Sequence, residues 1–254
     1  MTRREELIQE LTAIFGTDFI ITQGTVVPTV TDVGLDNVAK DINAAILFID
    51  IKGSTHIVNA VQRETAAKLY KAFLKGVTRI ARHNDGHIRS FNGDGVLIFF
   101  AGEGKCDKAI KSAMEMKHFL TNDLLPHFNR IKSQNQQLSN MQFDFGIGIA
   151  TGDVLVIKAG IGGENNRDLV WVAKETNHAV KLAEQSNGGY HIHISSGVFS
   201  ELSENYKYVN TPATQSPLSD LLRLRTEIWE SALPPISMGL FPAIYRTTYL
   251  LHIV

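Results

Sequence analysis

The sequence predicts an α+β fold: a mixed, mostly antiparallel sheet with helices packed on it, built on a βαββαβ core. Three observations lead there. Residues 44–51, AAILFIDI, form a continuous apolar run rich in β-branched and aromatic side chains, as expected of a strand covered on both faces. Residues 86–91 and 96–100 are two strand-like runs joined by Asn92-Gly93-Asp94-Gly95, whose Asn-Gly start favours a hairpin turn. The full order is strand, helix, hairpin, helix, strand, strand, helix, strand, which favours an α/β sandwich over a doubly wound parallel sheet.

Taken in order, the opening segment sets Leu7, Leu11 and Phe15 on one side of a helix, with Arg3, Glu5 and Glu10 elsewhere. It reads as a docking element. Residues 22–43 mix Gly, Pro, Val and Thr without a sustained period, an extended lead-in. The strand 44–51 reaches a carboxylate at Asp50, and Ser54-Thr55 then caps a helical pattern through Ile57, Val61, Leu69, Phe73 and Val77. After the hairpin, a helix is predicted over 107–122, burying Ile110, Met114, Met116 and Phe119, and an exposed polar loop over 132–140.

The alternating run 142–150 predicts a strand ending in a turn at Thr151-Gly152-Asp153. Glycines follow at Gly160, Gly162 and Gly163, which fit a tight turn as well as a phosphate loop; no Walker pattern is present. A short strand at 169–172, a helix at 176–186, a strand at 191–194 and a small helix at 197–202 complete the core. The tail from Pro212 carries a helix-like patch at 218–224 and an apolar end at 249–254, expected to pack on the domain or on a second subunit. The organisation predicted is a lead-in at 1–43, a main domain at 44–211 and a tail at 212–254.

The formal net charge of -1 gives no reason to expect non-specific attraction to nucleic acid or anionic membrane. The single cysteine, Cys106, excludes an internal disulfide and suits a reducing cytoplasm. The charged N-terminus is no apolar leader and no stretch is apolar enough to span a bilayer, so a cytoplasmic protein is expected. His191 and His193 face one side of a strand without ligand partners nearby in sequence and read as structural.

Asp50 ends a buried strand, and Asp94 crowns a hairpin that would neighbour it in the sheet. Either residue alone is better explained by capping or turn chemistry. Together they suit magnesium or manganese, which bind triphosphates through one or two carboxylates plus phosphate oxygens and water. Ser54 and Thr55 would add backbone amides for phosphate.

Residues 48–55, FIDIKGST, resemble the first metal motif of class III adenylate and guanylate cyclases, and 91–95, FNGDG, resemble the hairpin bearing the second metal aspartate. The run 145–152, FGIGIATG, followed at family spacing by Asp168 and Asn177, is a third match. The resemblance covers roughly residues 44–202. It implies a ferredoxin-like cyclase core and a homodimer with sites between subunits. Two divalent cations would be held by Asp50, Asp94 and the carbonyl of Ile51, with Gly53, Ser54 and Thr55 at the phosphates and Asn177 from the other chain.

The sequence departs from the family at three places. Where an arginine usually follows Asn177 by four residues, Lys181 keeps the charge without the bidentate fork. At the base-reading positions, Ser90 and Val170 replace both purine signatures; Ser90 would hydrogen-bond a smaller base, with Val170 and Trp171 as apolar walls. This combination resembles the Pycsar pyrimidine cyclases of antiphage defence, implying cyclic UMP, or less favourably cyclic CMP, as a messenger for a separate effector. Two alternatives stay open: a purine cyclase making cyclic AMP, and a silent cyclase-like module that binds nucleotide.

Overall fold

The computed structural model describes residues 1–160, 167–212, 223–232 and 244–249. In chain order the elements are α1 (Arg3–Gly16), β1 (Ile20–Gly24), β2 (Val38–Lys52), α2 (Ser54–Ala60), α3 (Arg63–His83), β3 (His87–Asn92), β4 (Gly95–Ala101) and α4 (Lys105–His118). A π-helical turn, Phe119–Leu124, leads into α5 (Leu125–Ser133), followed by β5 (Asp144–Gly160), β6 (Arg167–Val172), α6 (Lys174–Glu184), β7 (Ile192–Ser195), α7 (Ser196–Glu201) and α8 (Glu204–Lys207). The remaining strands are β8 (Tyr208–Pro212), β9 (Arg223–Glu227), β10 (Glu230–Ala232) and β11 (Ile244–Thr247).

One sheet runs β10-β11-β7-β5-β2-β4-β3, with β1 added beside β2 and β6 beside β5. Only β1–β2 and β5–β7 are parallel among its pairs, so the sheet is mixed and mostly antiparallel, the predicted α+β class. Strand β2 lies at its centre and is apolar on both sides, for a reason visible residue by residue. Ala45, Leu47, Ile49 and Ile51 face one core layer with Phe73, Ile110 and Phe128, while Ile42, Ala44, Ile46 and Phe48 face the other with Phe99, Ala179 and Leu182. Asp50 continues the second series.

Helix α6 lies unusually close to the sheet. A methyl group added at Gly146 would overlap the Ala183 carbonyl, and one at Gly148 the Ala179 carbonyl. The alternating glycines of β5 thus let helix backbone rest on strand backbone.

Several expectations are corrected. The lead-in is not merely extended: β1 forms, and β2 begins at Val38, so the boundary placed at 43/44 falls inside a strand. The helix predicted from Ser54 to Arg82 is two helices, because Val61 and Gln62 adopt an extended backbone between them. The polar loop at 132–140 contains the end of α5 and a short 3-10 turn that buries Leu138. No turn forms at Thr151-Gly152-Asp153, since pairing to Asn43, Ala44 and Ala45 carries β5 straight through to Gly160. The opening helix forms with a Thr2–Glu5 capping box, yet Leu7, Leu11 and Phe15 stay exposed instead of docking on this chain. In the tail, β11 pairs with β7 and β10 with β11, extending the main sheet. Of the patch at 218–224, Arg223 and Leu224 lie in β9, while 218–222, like 250–254 and 161–166 with Gly162 and Gly163, lies outside the described residues.

The tight α6–β5 contact makes a measurable claim. Gly148→Ala should force helix and strand apart and lower unfolding free energy by about 2–3 kcal/mol, read from urea denaturation midpoints at constant slope.

Candidate active site

Asp50 and Asp94 meet. Their carboxyl groups are within hydrogen-bonding reach of each other, Asp94 is buried, and its Oδ2 accepts the Ile51 backbone N–H at 3.2 Å. Burial, the shared hydrogen bond and the neighbouring negative charge push Asp50 from the ordinary 3.8 up to about 7. One proton therefore serves two carboxylates. Such a pair is relieved by a proton or by a cation, and the donor set specifies which cation. Among the described residues no cluster of three or more His, Cys, Asp or Glu side chains is arranged to hold a metal. Two carboxylates alone fit a hard divalent ion that completes its shell with water and phosphate oxygens.

The loop after the pair is shaped by Gly53, which sits in the left-handed region at φ 68° and starts α2, so the amides of Ser54 and Thr55 open a helix. Tyr70 from α3 donates its hydroxyl to the Ser54 carbonyl at 3.3 Å, pinning that turn. Burial first, then the charges of Asp94 and Asp50, raise the Tyr70 pKa above its ordinary value, so it stays a neutral donor. Lys52 is directed away from the carboxylates: its ammonium donates to the carbonyls of Glu184 and Ser186 at the C-terminal end of α6.

Asn177 and Lys181 are elsewhere. Asn177 is exposed in a cleft of about 790 Å³ with Gly152, Asp153, Trp171 and Glu175. Asp50 pairs with Gly146, whereas Glu175 lies over Gly152, six strand residues or roughly 20 Å further along. Lys181 is half-buried one helical turn from Asn177. A single chain thus separates the asparagine from the aspartates.

The base-side residues divide. Ser90 is exposed on β3 opposite Leu97. Val170 pairs with Ile157 and Trp171 with Val156, so their side chains leave β6 on opposite faces and do not wall one pocket together. Trp171 packs inward on Phe99 with ring centroids 4.2 Å apart. Asp168 lines a second cleft of about 440 Å³ with Thr31, Ile88, Arg89 and Trp171.

Arg89 is the residue that sequence reasoning missed. Ile88 pairs with Ile98 and Ser90 with the adjacent Leu97, leaving Arg89 as the extra residue of a bulge. Its guanidinium lies 5.8 Å from the Trp171 ring centroid, and its Nε is buried without a hydrogen-bond partner among the described residues. Strict alternation would have sent Arg89 and Ser90 to opposite faces, so only the bulge could reveal it. Tyr70 had no signal beyond helical periodicity.

The family of adenylate and guanylate cyclase catalytic domains matches residues 38–218. This chain belongs to that family. A uridylate cyclase from Burkholderia cepacia is 31% identical to this cyclase over 192 residues, 75% of this chain and 80% of its own. One from Rhodovulum sp. (strain MB263) is 29% identical over 209 residues, 82% and 85% of the two chains. A bacterial light-regulated adenylyl cyclase shares the fold at a TM-score of 0.57 and 15% identity, covering 85% of this chain; the cyclase described here spans about half, 54%, of that protein. The aspartate pair, the α2 turn and Asn177 thus sit in a class III nucleotidyl cyclase. No helix among the described residues is long and apolar enough to cross a membrane.

The shared proton gives this cyclase a pH signature. The folded, cation-free protein holds a proton that the unfolded chain releases near 3.8, so stability should fall as pH rises from there through about 7 and level off above. Denaturation of cation-free protein across that range should show the decline, and Asp50→Asn should flatten it; an equal slope in the variant would refute the shared proton.

Proposed function

We propose that this chain is a cytoplasmic uridylate cyclase that closes UTP into 3′,5′-cyclic UMP, acts as a homodimer with two divalent cations per site, and signals phage infection to a separate effector protein. The observation that carries the cyclase chemistry is the convergence of Asp50 and Asp94 at the end of β2. The uracil preference is supported by relatives named uridylate cyclases and by the replacement of purine-reading side chains with Ser90 and Val170. Arg89 adds a chemical reason, since a guanidinium only donates hydrogen bonds and uracil offers two carbonyl oxygens.

In this reading Asp50, Asp94 and the Ile51 carbonyl hold the cations, and the amides at Ser54 and Thr55 meet the terminal phosphates. When bound, the cations lower the pKa of the 3′-hydroxyl and offset charge on the phosphates. The 3′-oxygen forms its bond to the α-phosphorus as the bond to the bridging oxygen breaks; pyrophosphate leaves and the hydroxyl proton passes to solvent. Asn177 of the second chain orients the ribose, and Lys181 supplies a point charge at the α-phosphate. Trp171 and Arg89 flank the base end.

Separate assays of ATP, GTP, CTP and UTP with manganese should give cyclic UMP from UTP as the main product; cyclic AMP as the main product would replace the uracil reading. Asp50→Ala and Asn177→Ala should each lower turnover by about 100-fold or more without unfolding the protein. Mixing the two inactive variants should restore activity, because one site of each mixed dimer keeps both residues. Failure to complement, with dimers verified by light scattering, would reject the shared site. A silent nucleotide-binding module is favoured only by Lys181 and predicts nucleotide binding without pyrophosphate release.

A further inference from the structure

Helix α3 carries six lysine and arginine residues against one acid, Glu64, in a chain whose net charge is -1. Five of them, Lys68, Lys71, Lys75, Arg79 and Arg82, recur three or four residues apart and so stack on one ridge, all exposed. On the neighbouring α4 each lysine of the first two turns finds an acid: Lys105 pairs with Glu201, Lys108 with Asp85, Lys111 with Glu115. None of the five ridge cations makes an ion pair within the described residues. Like charges four apart on a helix repel, so the ridge weakens α3 unless something acidic covers it.

Beside the ridge, α3 faces the π-helical turn and the start of α5 across a groove of about 390 Å³. Its walls are apolar: Ala72, Gly76, Phe119 and Leu124. Its rim holds Lys75, Arg79 and His127 against one carboxylate, Asp123. On this side of the groove α3 presents Ala72 and Gly76, neither with a side chain longer than a methyl group. The π-helical turn brings the Phe119 ring against Gly76, where a methyl group would overlap it. Such turns inside α-helical stretches often mark functional sites.

We propose that this face docks an acidic amphipathic helix of a partner protein, with apolar side chains in the groove and carboxylates along the ridge. The groove and ridge together choose that partner. A membrane surface favours protruding apolar side chains beside the basic ones, and here the groove-side positions are Ala72 and Gly76 in a concave wall. A nucleic acid would use the ridge and leave the apolar groove without an occupant, whereas a helix laid in a groove uses both.

The test measures fluorescence anisotropy of a labelled synthetic helix, with Glu on one face and Leu and Phe on the other, against the full chain. Saturable binding is expected. Lys75→Glu with Arg79→Glu should weaken it by about tenfold or more, and so should Ala72→Leu, which fills the groove and keeps every charge. Both variants change exposed positions, and unchanged thermal melts confirm that they fold. Several results would overturn the proposal: no saturable binding, equal binding of polyglutamate, undiminished binding by either variant, or tighter binding of a single-stranded oligonucleotide or of phosphatidylserine vesicles.

Discussion

Strands β2 and β5 pair without interruption from Ala39 and Ile157 to Lys52 and Asp144, and Asp50 and helix α6 are located by their positions along that ladder. Asp50 projects near one end, α6 lies over the glycines next to it, and the far end carries β1 and β6 as flanks. Because side chains alternate, a slip of one residue would turn Asp50 into the layer of Phe73 and Ile110 and send Ile49 and Ile51 out of it. The two apolar layers therefore aim the carboxylate. Core packing and site geometry are the same constraint seen from two sides.

That constraint sets two carboxylates together, and among the described residues no side-chain cation is paired with them. Lys52 is two residues from Asp50 but is spent on the carbonyls of Glu184 and Ser186. Among the described residues the fixed donor to the pair is the Ile51 amide, too little to hold two negative charges at neutral pH. A pair arranged in this way holds a proton, and in the proposed site a divalent ion would take its place. The cost of leaving the pair unneutralised is also what makes it selective for strong charge.

The central strand, the hairpin and the meeting of Asp50 with Asp94 were legible in the sequence, because a run buried on both faces and an Asn-Gly turn are local signals that tertiary packing reinforced. The arm was not. Thr151-Gly152-Asp153 has the composition of a turn, and only the long partner strand, with Asn43 donating to Asp153 at 2.7 Å, holds it straight. Likewise, the break at Val61 was hidden because Ile57, Val61, Leu69 and Phe73 keep a spacing in multiples of four residues across it. Arg89 was hidden by a bulge, a feature of pairing between strands that no single strand encodes.

The separation of Asn177 from the aspartates follows from the same packing. Helix α6 cannot shift along β5 to deliver Asn177 to its own Asp50, because Gly146 and Gly148 seat Ala183 and Ala179 in fixed positions. The asparagine is left in an open cleft beside Trp171, on the sheet face that also carries Asp50. In the proposed dimer each chain offers its carboxylates to one site and its cleft to the other. The division has a chemical consequence. In that proposed dimer Arg89, Ser90 and Trp171 would read the base of one nucleotide, and the aspartates on the same hairpin and strand would serve the phosphates of another. A substitution at the base end then leaves the local support of the adjacent carboxylates intact, which allows the preferred base to change on a scaffold whose phosphate chemistry stays the same.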